Sequence, residues 1–188
     1  MTNRQIMLNA LKKYTFPVLM AQGFTGKYPN FRRKLDNCIE LISFFTNKWG
    51  GSFTIEVSAV FPNSENKNYT LYNGVTEETF GVEATNRQYR LPGMFDGWFY
   101  YRDIYCKRSL FLGKIYYDVP EKESEDFIPS KGYRLVQKFN EDTAAQICKE
   151  INKQFEKANK WLTDFERAES RKINERFSQK KTYSHRRL

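Results

Sequence analysis

Two groups of residues have types and spacings that could do chemistry. The first is Arg33, Glu40 and Glu56. Two carboxyls held near an arginine can divide into an acid and a base, the arrangement that glycoside cleavage uses. The same three residues also fit a cross-strand ion-pair cluster on a sheet face, where a pair is worth about 1 kcal/mol or less. The second group is Arg90, Trp98, Tyr100 and Arg102, set around the run Trp98-Phe99-Tyr100-Tyr101 and extended by Tyr105, Tyr116 and Tyr117. Such rings can stack on bases or sugars, and the arginines could hold a phosphate or a planar ligand. Against that, Trp and Tyr are ordinary strand residues that fill packing seams, and the RNP pattern of glycine and aromatics is missing.

The remaining chemistry is sparse. One histidine occurs in 188 residues, His185, three positions from the end. Imidazole is the usual base near neutral pH and the commonest metal ligand, so Ser-His-Asp and Cys-His pairs and zincin helices are excluded. Cys38, Cys106 and Cys148 are odd in number, widely spaced and without metal-ligand spacing. They read as reduced thiols in a cytosol, not as a secreted disulfide framework. No phosphate-cradling glycine loop is present, and the sequence calls for neither a cofactor nor a metal.

Apolar residues make up 40% of the chain and aromatics 16%, enough for a sizeable core. Charge is uneven. From Arg167 to Leu188 eight basic residues face only Glu169 and Glu175, so +6 of the formal +9 sits there. That segment could grip nucleic acid weakly, though a solvated helix end and tail explain it as well. Residues 1–20 lack the apolar run of a signal peptide, and nowhere do eighteen apolar residues run together. A soluble cytoplasmic protein with no membrane association is expected.

These residues must be positioned by regular elements. Asn3 to Gln22 reads as a helix that bends near Phe16, because Pro17 removes a donor. Gly23 stands at the expected left-handed cap, with Phe24 packing behind it. Asn30–Leu35, Cys38–Thr46 and Ser52–Phe61 read as antiparallel strands, joined by an Asp36-Asn37 turn and a loop ending in Gly50-Gly51. Pairing Phe45 with Phe53 makes one face almost wholly apolar, with Ile39, Leu41, Ile55 and Val57. The Asp36-Asn37 turn sets Arg33 across from Glu40, and the Phe45–Phe53 register leaves Glu40 and Glu56 as diagonal neighbours. It also leaves Thr54 on the polar face.

Residues 62–90 are weakly patterned and read as a long connection. Gly97–Lys107 and Leu110–Val119 resume strand alternation, and Glu121–Asp126 is an acidic loop. Asp142 and Thr143 open a helix in which Ala144, Ile147, Cys148, Ile151, Phe155, Ala158, Leu162 and Phe165 recur at helical spacing.

Several of these segments carry a family resemblance: the helix ending in Gly23-Phe24, the strand Phe31-Arg32-Arg33 and the phrase Ser52-Phe53-Thr54-Ile55-Glu56-Val57. Tyr89-Arg90-Leu91 followed by Gly97-Trp98-Phe99 adds a fourth. Over most of residues 5–165 the sequence resembles the bacterial domain of unknown function family 4304. That family has no established activity, so the resemblance implies a bacterial setting and a fold without a reaction.

The fold predicted is α+β: an antiparallel sheet of about five to six strands, with the N- and C-terminal helices packed on one face. Residues 1–166 form one domain in this reading, and 167–188 a basic helix extension and tail. Non-catalytic protein recognition is the function expected, as a regulatory or toxin-neutralising partner. Small-molecule binding or catalysis at the Arg90, Trp98, Tyr100, Arg102 surface is the alternative, and nucleic-acid binding through Arg167–Leu188 a third; nothing signals an oligomeric state. Residues 180–188 hold four basic and few apolar side chains, too little burial to offset an ordering entropy of about 1–2 kcal/mol per residue. Deleting residues 179–188 should therefore leave the melting temperature unchanged and weaken polyanion binding at low salt, as calorimetry and a salt titration would check.

Overall fold

The computed structural model describes residues 1–62, 69–70, 79–94, 97–109, 114–119 and 128–184, with side chains up to residue 172. His185, most of the connection between 62 and 80, and the acidic loop 121–126 lie outside the described residues. The expected α+β fold is present. A six-stranded sheet contains β1 (Thr25–Lys27), β2 (Asn30–Lys34), β3 (Ile39–Thr46), β4 (Ser52–Val60) and β5 (Tyr89–Arg90) in that order. The short β6 (Phe99–Tyr100) also pairs with β4. A second, three-stranded sheet contains β7 (Ile104–Arg108), β8 (Ile115–Asp118) and β9 (Arg134–Gln137), in the order β8-β7-β9. Helices α1 (Asn3–Ala10), α2 (Phe16–Ala21) and α3 (Glu141–Ser184) complete the chain.

Two compact units are formed. One comprises Met1–Gly23, Phe44–Ile55 and Leu91–Gln154; the other comprises Phe24–Ser43, Glu56–Arg90 and Phe155–Leu188. In the first, Pro17 opens α2 and the turn before it, Leu11–Thr15, widens to π geometry. This is how a chain accommodates the donor that proline lacks. Asn152 of α3 donates to the Tyr14 carbonyl at 2.8 Å, satisfying a backbone acceptor of that widened turn. The core is a chain of rings. Phe16 meets Phe44 edge-on at 5.9 Å, Phe44 meets Phe53 at 6.0 Å, and Phe53 stacks on Phe99 at 5.6 Å. Each such pair adds about 0.5–1.5 kcal/mol beyond the area it buries.

In the second unit the Asp36-Asn37 turn closes as read from the sequence, with the Leu35 amide on the Cys38 carbonyl at 2.9 Å. Arg33 lies opposite Glu40, the predicted register. The later part of α3 packs Phe165 edge-on to Phe61 at 5.6 Å and stacks Trp161 on Tyr89 at 5.7 Å.

The β3–β4 register differs from the prediction by one residue. The Asn47 amide donates to the Ser52 carbonyl at 3.0 Å, and Phe44, not Phe45, stands beside Phe53. Phe44 is buried and Phe45 only half-buried. Strand β3 has apolar residues on both faces, so alternation alone did not select one. The loop decides it, because Gly50 and Gly51 hold φ of +76° and +73°, which side-chain-bearing residues avoid. Three further differences follow from local chemistry. The predicted strand Gly97–Lys107 is two strands, broken where Arg102 turns inward. The helix cap is Asn140, whose Oδ1 accepts the Thr143 amide at 2.9 Å, not Asp142. Helix α3 also continues to Ser184, past the last residues of the apolar stripe.

Strand β4 is buried along its whole length, on both faces. The polar face predicted for Thr54 is therefore covered, and Thr54 is 2% exposed. Val57→Ala should cost about 1–3 kcal/mol, and Thr54→Ala about 1 kcal/mol instead of nothing. Urea unfolding of the two variants checks this, and a neutral Thr54→Ala would contradict burial of the second face.

Candidate functional site

The three acid–base candidates form two ion pairs, not one cluster. Arg33 Nε donates to Glu40, and Arg90 donates to Glu56 Oε1 from Nε at 2.9 Å and Nη2 at 2.6 Å. With Phe44 beside Phe53, alternation puts Glu40 and Glu56 on opposite faces of the sheet. Neither carboxyl stands beside the other across a cleft. Arg33 also lies over the Phe24 ring, 4.6 Å from its centre.

Beside Glu40 a second acid and a thiol converge. Cys38 Sγ donates to Glu166 Oε1 at 3.1 Å, and these two, with Leu35, Asp36, Asn37 and Phe61, line a small cavity of about 220 Å³. Burial pushes the Cys38 thiol far up, and Glu166 pushes it further. Burial raises Cys148 to about 11. The thiolate is the nucleophilic form, so both groups are inert at neutral pH. Burial likewise raises the Glu40 carboxyl, with Arg33 pulling it back down and Glu166 pushing it up.

The aromatic–arginine group is dispersed among structural tasks. Arg102 is 4% exposed, and its guanidinium donates to the carbonyls of Gly50 and, at 3.0 Å, Gly51. A Cβ on Gly51 would fall within 2 Å of that guanidinium, so glycine here serves both the turn and the arginine. Trp98 is half-buried, and its carbonyl accepts the Met94 amide at 2.9 Å. Tyr100 lies in β6 opposite Ser52. Arg90, half exposed, is held by Glu56.

A different surface stands out. In the second sheet, Ile115 is 53% exposed, Tyr116 and Tyr117 46%, Leu135 46% and Val136 49%. All lie on β8 and β9, the outer strands. The registers Tyr105↔Asp118 and Tyr105↔Leu135 align these strands across β7, and Gln137 Nε2 donates to the Arg102 carbonyl at 3.2 Å. Around the apolar residues stand Lys107, Arg108, Lys114, Lys131, Arg134 and Lys138, against Asp103 and Asp118 among the described residues of these strands and their flanks, while the sequence between β8 and β9 also carries Glu121, Glu123, Glu125 and Asp126 with Lys122. Tyr116 and Tyr117 were noticed as aromatics, but β9 was missed. The signal was Gly132, at φ +85° in a turn, followed by the short apolar pair Leu135-Val136.

Among the described residues no three His, Cys, Asp or Glu side chains converge to hold a metal ion. No described helix is long and apolar enough to cross a membrane. Residues 15–91 match the family model of a domain of unknown function (DUF4304), which supports the resemblance to that family over a shorter span than residues 5–165. No curated protein and no solved structure matches the chain.

Because the native state holds the Glu40 proton more tightly than the unfolded chain, this group makes stability fall as pH rises from its ordinary value to its raised one. Removing Arg33 removes what pulls the carboxyl down and widens that interval. Arg33→Met should cost about 2–4 kcal/mol at pH 7, the low side of a broken buried pair because Arg33 is partly exposed, and less at pH 5. Urea unfolding at the two pH values decides it, and an equal loss at both would contradict the burial of Glu40.

Proposed function

We propose that this chain works by protein recognition, with its three-stranded sheet receiving an extended segment of a partner along an outer strand. The observation that carries this reading is the five large apolar side chains on β8 and β9, each about half exposed. By register, Tyr116 and Leu135 lie on the face of Tyr105 and Lys107, and Ile115 and Tyr117 on the face of Cys106 and Arg108, so both faces of this small sheet keep large apolar side chains in water along its outer strands. An outer strand offers a main-chain template, and alternate side chains supply the selectivity. The exposed apolar side chains of these strands favour a segment with apolar residues at alternate positions. The reading is non-catalytic, and the occupied carboxylates and the inert thiols support it. A regulatory or toxin-neutralising role in a bacterial cytoplasm is the setting it implies, and the basic segment from Arg167 would add a second, salt-sensitive attraction to an acidic partner.

Selection from a displayed peptide library against the full chain tests the reading. Enriched sequences should carry apolar residues at alternate positions, and Tyr117→Ser together with Leu135→Ser should weaken their binding about tenfold or more, about 1.4 kcal/mol. The melting temperature should hardly move, since both side chains are already half in water. Enriched peptides that bind the double variant unchanged would overturn the proposal.

A further inference from the structure

A cavity of about 380 Å³ lies within the first unit, and Gln137 at the end of β9 is part of its lining. Its volume falls in the range of small-molecule sites. Met94, Phe99 and Ile147 give it an apolar wall, while Gln137, Glu150 and Gln154 contribute polar groups. Ile147, Glu150 and Gln154 come from one face of α3, spaced by three and four residues, so a rigid element carries the lining.

The polar groups are arranged in an unbalanced way. Gln154 is 7% exposed, and its Nε2 donates to Glu150 Oε1 at 2.5 Å. That contact fixes which end of the amide is which, since two oxygens would not face each other. It leaves Gln154 Oε1 buried without a hydrogen-bond partner. An unmatched buried acceptor carries a free-energy cost that an incoming donor relieves. Glu150 is solvent-exposed, and among the described residues no lysine or arginine lines the cavity. Among the described residues the one charge of the lining is the carboxylate of Glu150, beside the neutral polar side chains of Gln137, Thr143, Gln146 and Gln154.

We infer that this cavity binds a small organic cation with several N–H donors on a short apolar body, of the guanidinium or ammonium kind. The carboxylate of Glu150 takes the charge, Gln154 Oε1 takes one N–H once that amide turns toward the cavity, and Met94, Phe99 and Ile147 cover the apolar body. A planar guanidinium fits best, because it offers donors to both acceptors at once. Anions of similar size are excluded by the same carboxylate.

The test uses the full chain and three probes of matched shape: n-butylguanidinium, n-butylurea and pentanoate. Titration followed by calorimetry and by methyl NMR of Met94 and Ile147 should show saturation by butylguanidinium with Kd near or below about 1 mM. Butylurea should bind at least tenfold more weakly and pentanoate not at all. Glu150→Gln, at an exposed position, should leave the ligand-free melting temperature unchanged and weaken butylguanidinium fivefold or more. Gln154→Leu should weaken it too. Butylurea binding as well as the cation, binding unaffected by Glu150→Gln, shifts that leave Met94 and Ile147 unmoved, or no saturation by about 10 mM would each overturn the inference.

Discussion

Nine consecutive residues of β4, Ser52–Val60, are withdrawn from water, and most other features of the chain follow from that. A strand covered on both faces needs layers on either side and a partner for every polar group it carries. The ring chain from Phe16 through Phe44 and Phe53 to Phe99 supplies part of one layer. The segment around Val82–Ala84 serves the polar residues of the strands: Ser58 Oγ donates to the Arg87 carbonyl at 2.6 Å, and the Val82 amide donates to Ser43 Oγ at 3.1 Å. Irregular backbone can lie there because strand hydroxyls and neighbouring side chains satisfy it, as Gln88 Nε2 does for the Val82 carbonyl at 3.0 Å.

The same constraint explains why the acidic residues do not form a catalytic pair. A carboxylate in a covered strand is costly unless a cation compensates it, so Glu40 and Glu56 each have their own arginine. The two arginines arrive from β2 and β5, the strands that pair with β3 and β4 and place each arginine directly opposite its acid. Arg102 applies the same logic to backbone: its buried charge is spread over carbonyls of the glycine loop that sets the β3–β4 register. These ion pairs hold the fold in one arrangement, which is the use that fits groups so thoroughly occupied.

The elements legible in the sequence were those whose pattern is local. The proline-bent first helix, the left-handed glycine after it, the Asp36-Asn37 hairpin with Arg33 opposite Glu40, and the long apolar stripe of α3 all rest on neighbours within a few positions. The β3–β4 register was misread because Ile42 and Phe44 are as apolar as Leu41 and Phe45, so periodicity could not choose between faces. Thr54 stands on a face that alternation alone reads as polar and exposed, and the fold buries that face too. Arg102 shows the same limit. Its position in an aromatic run suggested a ligand surface, and only the fold brings Gly50 and Gly51 to it. The exposed sheet was half legible, since β8 was expected within Leu110–Val119 and β9 is too short to show alternation.

Strand β4 is buried along its whole length, whereas the outer strands of the second sheet leave large apolar side chains half in water, and the proposed partner segment would cover those. Hydrogen–deuterium exchange of the full chain, alone and with a bound partner segment, tests this most directly. The account predicts that β4 is the slowest-exchanging strand in both states, and that binding slows exchange along Ile115–Asp118 or Arg134–Gln137. Slowed exchange confined to other segments, with β8 and β9 unchanged, would contradict it.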